Sequence, residues 1–155
     1  MKIYPVQMNV IPGKPELNFD FIKNEVQKAV SNQCDLVVFP EMCLSGYLIG
    51  DCWEERSFLD RCVALGNQVA LLSTSIDILF GNVAREESLG ENGRPLLYNA
   101  AFYASNGLFE PLIQSKGVVK YFLPKTLLPS YREFDEPRYF SDLRRQFDRR
   151  TVVGI

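Results

Sequence analysis

Residues 35–39 read DLVVF, and this nearly continuous apolar run constrains the fold more than any other stretch of the chain. A strand without polar alternation suits a sheet covered on both faces, the usual situation of parallel strands. The residues before it agree. IYPVQMNV at 3–10 reads as a strand closed by PGKP, and Phe21, Ile22, Val26, Ala29 and Val30 form an apolar stripe on a helix expected from about Leu17 to Asn32. Strand, helix and strand in that order predict an α/β protein.

Further on, Phe58, Cys62, Leu65, Val69 and Leu72 form a second helical stripe. Strands are expected over SIDILFGNVA (75–84) and LLYNAAFYA (96–104), separated by an exposed polar excursion, REESLGENGRP. Ser105-Asn106-Gly107 is a tight turn because Asn-Gly accepts positive φ, and LFEPLIQSK is the returning partner strand. The segment 118–140 carries too many prolines and charges for a simple core element. TVVGI at 151–155 has the composition of one more buried strand, and its abrupt end predicts that the sequence is part of a longer chain.

Composition narrows the chemistry. The 155 residues suit one domain, and 17 Lys plus Arg against 19 Asp plus Glu form no long basic run, which argues against nucleic acid as a partner. The N-terminus is too short and polar for a signal peptide or membrane span, so a cytoplasmic protein is expected. Histidine is absent, which removes Ser-His-Asp and Cys-His catalysis and His-containing zinc sites from this chain. The four cysteines, at 34, 43, 52 and 62, match neither a CxxC motif nor a disulfide framework and read as reduced, buried thiols. No metal site is expected.

Two segments can carry chemistry without histidine. Glu41 follows Pro40 directly after DLVVF, at the carboxyl end of a strand where α/β sheets bind ligands. There, partly desolvated and with a raised pKa, it could act as a general base; it could equally be a loop glutamate capping the following turn. Lys125 follows the apolar Phe122, Leu123 and Pro124 and could stabilise an oxyanion, or be a solvated surface lysine.

The two segments together resemble a known family. PEMCLSGY around Glu41 and KTLLPSYREFDEPRYF from Lys125 resemble the carbon-nitrogen hydrolase, or nitrilase, superfamily. QMNV before a Pro/Gly loop, GYLIGDC with Asp51, LYNAA and FDEPRYF sharpen the likeness to the glutaminase domain of glutamine-dependent NAD synthetases, over essentially the whole chain. The resemblance implies a four-layer α-β-β-α sandwich of which only the N-terminal part is present. It implies Glu41 as general base, Lys125 as oxyanion stabiliser, Tyr131 as a glutamine contact, and Glu133 as a second glutamate that positions lysine and substrate.

The family's nucleophilic cysteine follows the strand to which TVVGI would correspond, so the chain as it stands is expected to be inactive. The implied reaction is hydrolysis of the glutamine amide. Its ammonia would pass to a C-terminal synthetase domain, absent here, that uses ATP and magnesium to convert deamido-NAD to NAD. No cofactor is expected in the glutaminase part. A homo-oligomer is expected, since a sheet lacking later strands leaves an open edge and an uncovered apolar face. A stand-alone amidase acting on another small amide, and a non-catalytic truncated interaction domain, are the alternatives.

Overall fold

A computed structural model describes residues 1–90, 93–115 and 118–144. Its α/β architecture begins as expected, with β1 (Ile3–Pro5), α1 (Pro15–Ser31) and β2 (Leu36–Val38), followed by α2 (Arg56–Leu71) and β3 (Asp77–Leu89). β1 pairs parallel with β2, and β2 parallel with β3, so α1 and α2 are the crossovers. β1 is shorter than the 3–10 run. Pro5 brings no N–H to the ladder, and after Val6 donates to the Val38 carbonyl the chain leaves the sheet.

Pro15 occupies the first turn of α1, where a missing N–H costs nothing. The helix buries Asn18, Ile22, Val26 and Ala29, whereas Phe21 and Val30 stand 38% and 39% exposed, so the inward stripe is narrower than the apolar pattern. It meets Val37, Ile78, Phe80 and Val69 in the main core, on one face of the sheet. Each such fully buried aliphatic side chain contributes about 1.5–3 kcal/mol of transfer free energy. The alternate positions Leu36, Val38, Leu79, Ala101 and Tyr103 are only half-buried.

The sheet continues antiparallel through β4 (Pro95–Ser105) and β5 (Leu108–Phe109). Asn106 and Gly107, at φ 53° and 80°, make the turn that the Asn-Gly pair predicts. The returning strand is shorter than LFEPLIQSK, because Pro111 interrupts it. Ile113–Ser115 pairs instead with Val118–Lys120 as a separate ribbon, β6 and β7.

The polar segment after Ala84 is not simply an excursion. β3 runs on to Leu89 opposite β4, with Arg85 facing Leu97 and Glu86 facing Leu96, and its register shifts before Leu89. Glu86 finds partners in Lys120 and the Tyr98 hydroxyl, which accounts for charged residues inside a strand.

β8 (Leu123–Pro124) pairs with β4 opposite Ala101 and Ala100, and the short helix α3 (Glu136–Tyr139) follows. Together with the separate β6–β7 ribbon, the described residues form a helical layer over one six-stranded sheet, half of the expected four-layer sandwich. TVVGI lies outside the described residues. Among the described residues no helix is long and apolar enough to cross a membrane.

Candidate active site

Pro40 ends β2, and the chain turns so that Glu41 stands at the strand's carboxyl end. The turn is fastened to β3 by backbone bonds: Gly81 N–H donates to the Pro40 carbonyl at 3.3 Å, and Cys43 N–H to the Gly81 carbonyl at 3.0 Å. A buried asparagine secures it from the other side. The Asn18 amide donates to the Leu44 carbonyl at 2.8 Å and to the Ile11 carbonyl at 2.9 Å, tying this turn to the loop before α1.

Lys125 follows β8, and its N–H donates to the Asn99 carbonyl at 2.8 Å, so β4 sets its height above the sheet. Its ammonium reaches back to Glu41 Oε1 at 2.8 Å and to Glu136 Oε1 at 2.9 Å. The Asn99 side-chain amide makes the same bridge, 2.5 Å from Glu41 Oε1 and 3.1 Å from Glu136 Oε1. The Tyr47 hydroxyl donates a third hydrogen bond to Glu136 Oε1. Two carboxylates therefore share one ammonium and one amide.

The two carboxylates differ in setting. Glu136 is 4% exposed, while the Glu41 side chain is 53% exposed and accessible to a reactant. Burial pushes the Glu41 pKa up, but the hydrogen bonds from Lys125 and Asn99 and the lysine's charge outweigh it and hold the carboxyl below its ordinary value. This reverses the raised pKa expected from desolvation alone. Burial acts against the Lys125 ammonium, yet its bonds to Glu41 and Glu136 raise its pKa above the usual lysine value. Burial first, then the Glu136 hydrogen bond and charge, raise that of Tyr47.

Glu41 and Lys125 are thus brought together from positions far apart in the chain. Tyr131 stands at the rim, 62% exposed, with its ring 5.4 Å from Phe134, which in turn lies 5.8 Å from Tyr47. Glu133 is exposed, and the second carboxylate that the structure places on Lys125 is Glu136. One helical turn explains this. Glu136 opens α3 and faces inward, whereas Glu133 lies in the turn preceding it. Asn99, Tyr47 and Glu136 were not singled out from sequence, although each lies inside a family-like motif, LYNAA, LSGY and FDEPRYF respectively.

The four cysteines are free, and Cys34, Cys43 and Cys62 are buried. Cys43 is fully buried, its thiol donates to the Gly81 carbonyl at 3.3 Å, and burial pushes its pKa up to about 12. Burial does the same to Cys62, also to about 12. A cleft of about 420 Å³ opens elsewhere, lined by Trp53, Arg94, Leu97 and Tyr139 among others, and includes neither Glu41 nor Lys125. Among the described residues no group of three or more Cys, Asp or Glu could hold a metal ion.

Residues 5–116 match the carbon-nitrogen hydrolase family. The glutamine-dependent NAD(+) synthetase of Synechocystis is 29% identical over 136 residues, 87% of this chain but 23% of its own length. That of Mycobacterium bovis is 32% identical over 127 residues, 81% of this chain and 16% of its own length. The chain thus spans less than a quarter of these relatives.

Among solved structures, the glutamine-dependent NAD(+) synthetase of Cytophaga hutchinsonii superposes with a TM-score of 0.73 at 21% identity, over 90% of this chain and 21% of that one. That likeness shows the nitrilase-type fold. With the family match covering most of its length, the chain belongs to the carbon-nitrogen hydrolases.

Proposed function

We propose that this chain carries the acid-base and oxyanion-stabilising half of a glutaminase centre whose ammonia feeds an NAD synthetase. The observation that carries the reading is the Lys125 ammonium held 2.8 Å from Glu41 and 2.9 Å from Glu136 at the end of β2. The curated relatives named above, glutamine-dependent NAD(+) synthetases, support glutamine as the substrate.

Glu41, ionised and exposed, accepts the proton of an incoming cysteine thiol as its sulfur attacks the side-chain amide carbon of glutamine. Lys125 stabilises the negative charge that develops on the amide oxygen. Protonated Glu41 then delivers its proton to the departing ammonia, and as carboxylate it activates the water that hydrolyses the thioester. Glu136, buried and bonded to Lys125, Asn99 and Tyr47, keeps the ammonium aimed. Tyr131 contacts the glutamine from the rim.

The nucleophile is none of Cys34, Cys43, Cys52 and Cys62 in this reading, so this chain alone is inactive. A parent carries the reactive cysteine beyond TVVGI and a synthetase domain that uses ATP and magnesium. The test is Glu41→Gln in such a parent. Glutamine-dependent NAD formation should be lost while synthesis from added ammonium persists; loss of both would make Glu41 structural. Incubation of this chain with glutamine should release no ammonia above background.

A further inference from the structure

We propose that Gly81 is a positioning residue: the absence of a side chain there sets where the Glu41 carboxylate stands. The inference rests on reading Glu41 as the acid-base group, but its geometry is independent of that reading. A Cβ on Gly81 would lie 2.6 Å from Met42 N, 2.7 Å from Glu41 Cα and 2.9 Å from the Glu41 carbonyl carbon. These are backbone atoms, which cannot rotate aside as the end of a side chain can. The obstruction is with the very peptide that bears Glu41.

Three hydrogen bonds press the turn onto this bare spot. Gly81 N–H donates to Pro40 O, Cys43 N–H donates to Gly81 O, and the Cys43 thiol donates to the same carbonyl at 3.3 Å. The turn itself is strained for the contact. Met42 takes φ 49°, a conformation uncommon outside glycine and asparagine, while its side chain is fully buried beside Trp53, Phe58 and Val83. Strain there persists because β3 on one side and a packed methionine on the other over-determine the backbone.

The consequence for the site follows from register. Gly81 faces Ala101 and Val83 faces Asn99, while Ala100 faces Pro124, the residue before Lys125. β3 therefore fastens the Glu41 turn, while β4 bears Asn99 and holds Lys125 through β8 and the Asn99 carbonyl, so the separation of base from ammonium is set by strand spacing. A methyl group at position 81 lifts the turn off β3 and moves Glu41 relative to two partners that stay in place. Catalysis is sensitive to such shifts, since a misplacement of about 1 Å costs about 100-fold.

The test is Gly81→Ala, read by carbon-detected NMR titration of Glu41 in this chain. The expected result is that Glu41 titrates upward, toward the ordinary carboxylate range. A folded Gly81→Ala chain in which Glu41 titrates as before overturns the proposal. In an intact parent, kcat for glutaminase should fall about 100-fold with little change in KM. An unchanged kcat would also overturn it.

If Gly81→Ala does not fold, hydrogen exchange of the unmodified chain decides. The Cys43 amide should be protected to the same degree as the Gly81 amide, and exchange at the rate of an open loop overturns the proposal. Failure of the functional reading looks different. A parent Glu41→Gln that keeps glutaminase activity removes the base role while leaving the titration result standing.

Discussion

Lys125 Nζ lies 2.9 Å from Glu136 Oε1, and Glu136 is the most deeply buried carboxylate in the cluster. The same oxygen accepts from Asn99 and Tyr47, so Glu136 acts as the anchor while Glu41 faces outward. Glu136→Gln weakens three hydrogen bonds to a charged acceptor and should lower stability by about 1.5–3 kcal/mol, measured by urea unfolding. Glu133→Gln, on an exposed turn, should stay within about 0.5 kcal/mol. In a parent, only the Glu136 variant should impair glutaminase turnover.

Asn99 is 3% exposed between two carboxylates, with its amide as donor to both. Asn99→Asp replaces that donor with a third negative charge in nearly the same shape. Stability at neutral pH should fall by about 3 kcal/mol. The loss should shrink on mild acidification as the introduced carboxyl protonates. An Asn99→Asp chain as stable at neutral pH as the unmodified one would contradict the bridging geometry.

Acid titration should expose the ion pair. The folded-state pKa of Glu41 is depressed, so its contribution to stability is complete above the ordinary carboxylate range and is lost as pH falls through the lower folded value. Lys125 has the opposite sign. Its pKa is raised, so its contribution is complete below the ordinary lysine range and lost as pH rises through the higher folded value. Lys125→Met should flatten the dependence of the unfolding midpoint at both extremes, a comparison that thermal melts across the pH range would make.

Thiol reactivity should separate the cysteines. Cys43 and Cys62 are buried with thiols pushed up to about 12, while Cys52 is partly exposed. An aromatic disulfide reagent at neutral pH should label Cys52 first and leave Cys43 and Cys62 unreacted until denaturant is added. Rapid native labelling of Cys43 would overturn its assignment as packing beneath the Glu41 turn.

The sheet face opposite α1 and α2 presents half-buried Leu36, Val38 and Leu79, and the chain also carries Ile3 and Leu123 at 48% and 45% exposure. Sedimentation velocity of the isolated chain should therefore show concentration-dependent self-association. A strict monomer at high concentration would show that this surface is tolerated by solvent.

Local patterns made much of this legible. The DLVVF run, the Asn-Gly turn and the two helical stripes each specify an element, because side-chain periodicity and positive-φ tolerance are properties of a few adjacent residues. Glu41 and Lys125 were legible through their flanking motifs. The continuation of β3 past Ala84 was not, since Glu86 enters a strand only with Lys120 beside it, from a segment 34 residues away. The choice between Glu133 and Glu136 was hidden for a related reason. The two lie three residues apart, and which of them faces Lys125 depends on where α3 begins.

By itself, the sequence determined that this is an α/β chain, and the absence of histidine left carboxylates and lysine among the candidates for acid-base chemistry. It also marked Glu41, at the end of a strand, as a candidate base. Tertiary structure alone decided the rest: that Glu136 rather than Glu133 meets the ammonium, that Asn99 and Tyr47 complete the bridge, and that Glu41 stays below its ordinary pKa. The physical reason is common to all three. Each depends on balances of burial, charge and distance between segments that only strand pairing brings together, and such balances have no counterpart in neighbouring residues of the chain.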